Sequence, residues 1–209
     1  LTGAQRDLAE AGAVSGGVEV RVDGETVTVA APDAPGLLSR TAGVLALHQL
    51  DVRAATVATV GATAVDVFTV SPRFGRGPEP ALLRADVTRA LAGSLPLGDR
   101  LAATERAYGT GDGPPPRVLW FDGAATGATV LELRASDAAG LLHRVTAALE
   151  RCGLDVRAAR VSTLGGAVVD AFYVAGPDGR PVGDPELRRR VSAELLAAAQ
   201  VSPAVGRSA

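Results

Sequence analysis

Apolar and polar residues alternate with period two along Val18-Glu19-Val20-Arg21-Val22 and again along Thr26-Val27-Thr28-Val29-Ala30-Ala31. Such alternation is what a strand with one buried face requires. Between the runs, Asp23-Gly24 predicts a tight hairpin turn, because glycine takes the positive φ that such turns need. The period then changes. From Leu37, buried-type residues return at three- and four-residue steps through Leu38, Thr41, Val44, Leu45 and His48, which predicts an amphipathic helix to about Gln49. Asp33 is placed to cap its first turn, with Pro35 near the first helical position. Residues 52–60 and 64–70 are β-branched and alternating around a Gly61-Ala62 turn, a second hairpin. Beyond a Gly/Pro-rich loop at 73–80, Leu83, Val87 and Leu91 mark one face of a second helix. Residues 1–17 read as a linker or the end of a helix, since Gly12, Gly16 and Gly17 interrupt the pattern.

The series then recurs at a constant shift of 104 residues. Across 33–70, 20 of 38 positions are identical to 137–174, too many for chance, so the two halves are homologous copies. Asp33-Ala34-Pro35-Gly36-Leu37-Leu38 returns as Asp137-Ala138-Ala139-Gly140-Leu141-Leu142, and Leu50-Asp51-Val52-Arg53 as Leu154-Asp155-Val156-Arg157. Gly61 repeats as Gly165, and the second helix keeps its apolar face as Leu187, Val191 and Leu195. Each copy reads as a split βαβ unit preceded by an extra strand. The expected fold is α+β: two ferredoxin-like (βαββαβ-type) domains, each a four-stranded antiparallel sheet with two helices on one face. The edge strand comes from the N-terminal side, Val18 to Val22 pairing with 26–31. A rival arrangement gives Val118-Leu119-Trp120-Phe121 to the first copy as its fourth strand. The domains are expected at 18–95 and 117–200, with 1–17 and 96–116 as linkers and 201–209 as a disordered tail. Each copy of about 75 residues is small for an independent core. The copies should therefore pack on each other, and the resulting interface is where small-molecule sites tend to lie.

Composition narrows the function. The chain has 209 residues, 47% of them hydrophobic and 21% charged, which is ordinary for a globular protein. A net charge of −2 argues against nucleic acid or an anionic membrane as partner, and aromatics at 3% are too few for a base-stacking surface. No apolar run approaches the roughly 18 residues of a membrane span. The single Cys152 excludes an internal disulfide and suits a reducing, cytoplasmic setting. Lys, Ile, Asn and Met are absent, all with AT-rich codons, which points to a high-GC bacterial genome and makes the 21 arginines weak evidence of anion binding. A chain that begins at Leu1 and lacks Met reads as a piece of a longer protein.

Asp-x-Pro-Gly-Leu-Leu between strand and helix, followed about thirteen residues later by Leu-Asp-Val, resembles the ACT domain. The tandem motif Val-x-x-Ala-x-Val-x-Thr-x-Gly-x-x-x-Val-Asp-x-Phe-x-Val, at 52–70 and 156–174, is more specific. With Arg117-Val118-Leu119-Trp120-Phe121-Asp122 ahead of the second copy, it is similar to the C-terminal regulatory region of the PII uridylyltransferase family. The resemblance implies a module that binds a small amino acid, glutamine foremost, and regulates upstream catalytic domains that modify the PII protein of nitrogen signalling. It also implies an actinobacterial setting, where relatives are associated with adenylylation of PII. The family's nucleotidyltransferase and metal-hydrolase motifs are absent here, so no catalytic residue, metal or cofactor is expected in this chain.

The candidate ligand-binding residues are the two strand-to-helix loops, Asp33, Ala34, Pro35, Gly36, Leu37 and Leu38 with Asp137, Ala138, Ala139, Gly140, Leu141 and Leu142, and the facing Asp51 and Asp155. A glycine at the helix start lets a ligand carboxylate reach backbone N–H groups, helped by the helix dipole; a tightly packed turn would explain it equally well. Asp33 and Asp137 serve as N-caps first. Asp51 and Asp155 can accept from an ammonium group or simply sit in a solvated turn. Asp66 and Asp170 stand in mid-strand, where Asp is depleted, and are assigned a structural role. His48 aligns with Cys152, and His143 with Ser39 on an expected exposed helix position, which leaves neither His a catalytic or metal site. Arg188-Arg189-Arg190 reads as a solvated helix face. The alternative function is a ligand-independent dimerisation or docking module. Of the two loops, the one with Pro35 is the better candidate.

Overall fold

The computed structural model describes residues 1–75, 77–108, 115–125, 127–164 and 166–200. The expected tail at 201–209, the repeat of Gly61 at Gly165 and the central part of the expected 96–116 linker lie outside the described residues. In chain order the elements are α1 (Gly3–Ser15), β1 (Glu19–Asp23), β2 (Thr26–Pro32), α2 (Leu37–Leu47), β3 (Leu50–Val60), β4 (Thr63–Pro72), α3 (Pro80–Leu91) and α4 (Leu97–Tyr108). The second half runs β5 (Arg117–Ala125), β6 (Ala128–Ser136), α5 (Leu141–Arg151), β7 (Asp155–Leu164), β8 (Ala167–Ala175) and α6 (Pro185–Ala199).

All the strands join one antiparallel sheet in the order β1-β2-β4-β3-β7-β8-β6-β5. It is two four-stranded ferredoxin-like sheets set edge to edge. The β1–β2 hairpin supplies the outer strand of the first copy, Val20 opposite Val29 and Val22 opposite Val27. Residues 118–121 belong to β5, which pairs with β6, so the rival assignment of that strand to the first copy is excluded. The first hairpin turn falls one residue later than expected: Asp23 still pairs with Thr26, and Gly24 takes φ +57° in the two-residue loop.

The alternation of the strands decides what each face meets. In β2, Val27, Val29 and Ala31 point to the helices, and in β4 so do Ala64, Phe68 and Val70; all are buried in one continuous core with Leu45, Leu83 and Val87. The second copy repeats this with Leu131, Leu133, Phe172 and Val174 under Val145, Leu149, Val191 and Leu195. Helices α2 and α3 cover the first half, α5 and α6 the second, and α2 packs directly against α5. Gly43 makes that approach possible, because a Cβ there would stand 3.0 Å from the His143 ring.

The copies meet at β3 and β7. Three residue pairs are in register there, Ala54 with Arg160, Ala55 with Ala159 and Thr56 with Ala158. Each strand carries a bulge just before the junction, between Val52 and Ala54 and between Val156 and Ala158. A bulge increases local twist, which curves the sheet where the two halves join.

Two segments expected as linkers are in part helical. Helix α1 is started by a capping box, in which Thr2 accepts from the Gln5 backbone N–H and Gln5 accepts in return. It lies on the opposite sheet face from the other helices, with Ala9 packed on Ala30 and Val65. The second copy has Arg134 where the first has Ala30, ion-paired to Glu132 at 2.6 Å, which leaves no small apolar seat for such a helix. Helix α4 occupies 97–108 of the expected 96–116 connection and buries Leu97 and Leu101. No described helix is long and apolar enough to cross a membrane.

Candidate functional site

Each strand-to-helix loop lies beside the helix-to-strand turn of the other copy, and each such pair encloses a cleft. In the first cleft, residues 33–38 face Gly153, Leu154, Asp155 and Val156, with Ala64 and Asp66 of β4 as floor. In the second, residues 137–142 face Leu50, Asp51 and Val52, with Val168 and Asp170 of β8 as floor. Every one of the fourteen candidate ligand-binding residues lines one of these two clefts, and in each the loop of one copy meets the Asp of the other.

The loops differ from expectation at the helix start. The N-cap positions are Gly36 and Gly140, at φ +87° and +73°, with no side chain capping either helix. Asp33 and Asp137 are therefore not N-caps. Asp33 stands three residues upstream, its backbone N–H bonded to Ala62 O at 2.8 Å and its carboxylate accepting from Thr59 Oγ1 at 3.4 Å. Both helices thus begin with first-turn N–H groups that no side chain satisfies, a favourable place for an anion. The backbone conformation calls for glycine at both positions. The positive φ disfavours any Cβ, and a Cβ on Gly36 would fall 1.8 Å from Arg40 Nη1, which donates to Pro35 O at 2.8 Å. Arg144 repeats that bond to Ala139 O at 3.1 Å.

The two clefts are unequal. The first has a volume of about 630 Å³, within the usual range for small-molecule sites; the second has about 90 Å³. Helix α4 lies against the second loop and lines the second cleft with Thr104, beside Arg73 and Phe74. Leu101 lies against Gly140, 2.9 Å from where its Cβ would be, and Glu105 pairs with Arg144 at 3.3 Å. Asp51 is also engaged, by Arg73 at 2.7 Å, whereas Asp155 is approached by Arg157 at 3.6 Å. In the second copy the position of Arg73 is Pro177.

Asp66 and Asp170 are on the helix-facing side of their strands and are buried, each about 1% exposed. One oxygen of each, Asp66 Oδ2 and Asp170 Oδ1, has no hydrogen-bond partner among the described residues. Burial, aided by the charge of Asp33, pushes the Asp66 carboxyl up to about 7. Burial does the same to Asp170, to about 7, with Asp137 adding to the rise and a hydrogen bond from the Ser162 backbone opposing it. The mid-strand Asp was the visible signal for these groups. Its place on a cleft floor was not legible, because it depends on how the two copies meet.

Other side chains sit differently from their sequence reading. His143 is half-buried against α2 rather than exposed: its Nδ1 donates to Ser39 O at 2.7 Å, and burial lowers its pKa. His48 Nε2 lies 2.9 Å from Asp86. Arg188 is not on a solvated face, since its guanidinium lies over the Trp120 ring at 5.3 Å and pairs with Asp122 and Val182 O; Arg190 reaches Cys152 O at 3.4 Å. Among the described residues, no three His, Cys, Asp or Glu converge as metal ligands.

The fold, the repeat and the paired loop-and-turn clefts define a class, a tandem of ACT domains, and the ACT domain family model matches residues 26–86. The first copy is thus an ACT domain, and the second copy repeats its fold and its sequence. Over 169 residues it is 44% identical to the bifunctional uridylyltransferase/uridylyl-removing enzyme of Streptomyces coelicolor, a match that covers 76% of this chain and 20% of that protein. The enzymes of the same name from Mycobacterium tuberculosis and Rhodospirillum rubrum are 38% and 37% identical, over 77% and 75% of this chain. The chain thus spans about a fifth of the length of these relatives.

Proposed function

We propose that this chain is the amino-acid-sensing part of a PII-modifying nucleotidyltransferase, with glutamine as the first candidate ligand. The observation that carries this reading is the composition of each cleft from both copies. A ligand seated there touches the loop of one domain and the turn of the other, so binding favours one packing of the pair over another. That differential is what any regulatory ligand needs. The uncapped N–H groups at the start of α2 suit a carboxylate, and the acidic turn opposite suits an ammonium group. The relatives' names supply the rest: they combine two opposed activities in one chain, and a sensing module would set the balance between them. The two activities are named for relatives about five times longer than the matched region; for this chain, the activity, the PII partner and the upstream catalytic domains are part of the proposal.

A thermal-shift series with the twenty protein amino acids tests this. Ligand at a hundred times its dissociation constant adds about 2.7 kcal/mol to stability, which raises Tm visibly. Glutamine is expected to give the largest rise. No rise with any amino acid refutes the reading and leaves the pair as a ligand-independent docking module.

A further inference from the structure

The first cleft holds more negative charge than a solvated turn accounts for. Asp33 and Asp66 reach it from the first copy, Glu150 and Asp155 from the second, and no Arg or His is among its lining residues. Arg40 is turned onto Pro35 O beside Gly36, and Arg157 stands at the rim, 3.6 Å from Asp155. A group of acidic side chains at a surface is commonplace. What sets this one apart is Asp66, a fully buried carboxyl in the floor with an oxygen that has no hydrogen-bond partner among the described residues. Buried polar groups are nearly always satisfied, and an exception calls for a cause. Here the carboxyl belongs to the lining of a cavity of about 630 Å³.

Once ionised, the carboxyl can only accept, so the partner that suits it in that form is a donor. Among the described residues no three His, Cys, Asp or Glu converge as metal ligands, so an organic N–H donor fits better than a metal ion. The opposite wall supplies the other half of the specification. Leu38 and Ser39 lie in the first turn of α2, where no side chain caps the helix, and both line the same cleft. A ligand with a carboxylate at one end and an ammonium group a few bonds away matches the two walls together.

We propose that Asp66 is the ammonium-binding residue of the first cleft, fixing an amino acid whose carboxylate lies on the uncapped start of α2. This rests on the amino-acid-sensing reading above and moves the cation contact from the rim, at Asp155, to the floor. It also makes recognition sensitive to pH. In the empty cleft the carboxyl titrates near 7 because it is buried and faces Asp33. Glu150 on α5 and Asp155 at the start of β7 add negative charge from the other side, and Arg40 offsets part of it. An ammonium ligand requires the ionised form. Below about pH 7 binding must therefore displace a proton, and affinity falls by up to tenfold per pH unit; above it, affinity levels off.

The experiment is calorimetric titration of the chain with each of the twenty amino acids, from pH 5.5 to 8.5 and in two buffers of different ionisation enthalpy. The wild type is compared with Asp66→Asn and Asp170→Asn, and thermal unfolding confirms that both variants are folded. Asp170→Asn makes the same chemical change at the equivalent position of the small cleft. The expected result is an amino acid bound with proton release approaching one at pH 6. Asp66→Asn should weaken it at least tenfold at pH 8 and abolish both the proton release and the pH slope, while Asp170→Asn preserves them. Binding that survives Asp66→Asn with its pH slope intact overturns the proposal and leaves the sensing function standing. Equal loss in both variants also overturns it, since it marks an effect on the fold. If no amino acid binds the wild type at all, the sensing function and this assignment fall together.

Discussion

Asp66 and Asp170 are the residues at which this fold departs furthest from what a β-strand favours. Each is a carboxyl placed among apolar neighbours, and each is held neutral up to about pH 7 by that burial. In the unfolded chain an Asp titrates near 3.9, so between about pH 4 and 7 the folded protein holds more protons than the unfolded one. Stability therefore falls as pH climbs through that window and is level above it, by a few kcal/mol per site. Asn cannot ionise, so Asp66→Asn and Asp170→Asn should each raise Tm relative to wild type at pH 8 and lose that advantage at pH 5. Thermal unfolding across the range checks this, and a wild-type profile flat from pH 5 to 8 would contradict it. The sequence made these two residues conspicuous but not intelligible. A period-two pattern tells which face a side chain takes, and both lie on the face shared with Phe68 and Phe172. Whether that face is filled or hollow at a given point depends on the second copy. Asp33 illustrates the opposite error: an Asp ahead of an apolar helix is a good cap by type, but a turn through Gly36 intervenes and starts the helix three residues later.

At the scale of elements, the repeat carried most of the information. Twenty identities at one constant shift establish equal strand and helix order in both halves, and the strand boundaries then follow from alternation. Helix α4 escaped because its helical signal is short and sits in a connection that local composition marks as linker. Its apolar residues Leu97 and Leu101 are one turn apart, yet they pack on another element and another copy rather than on a neighbour in sequence. This helix lies against the loop of the smaller cleft. Leu101→Ala removes the side chain that lies over Gly140 and should cost about 2–4 kcal/mol, as burial losses of this kind do. It should also open the second cleft. A reporter thiol placed by Ala139→Cys would then react faster with a thiol reagent in the Leu101→Ala background than alone, with native Cys152 buried in both. An unchanged rate would show that something other than α4 closes that cleft.

For the whole molecule, one hydrophobic core extends through both copies without a break, and the sheet crosses the boundary between them. Neither half of about 75 residues has enough buried surface to be comfortable alone. The two should unfold as a single cooperative unit, with calorimetric and van't Hoff enthalpies in agreement; two resolved transitions in a calorimetric scan would refute this. The junction that joins them has a further implication. Its three pairs read 54 to 160, 55 to 159 and 56 to 158, and with 104 subtracted these become 54 to 56, 55 to 55 and 56 to 54. That is the register of a strand paired with a second copy of itself, the self-complementary contact of a symmetric dimer. The arrangement is what a dimer of one ancestral domain would leave after its two genes fused. In such a dimer every substitution appears in both clefts at once. Fusion lifted that constraint, so Pro35 and Ala139, Arg73 and Pro177, an exposed loop and a helix-covered one could diverge, and one ancestral site became two with separate fates.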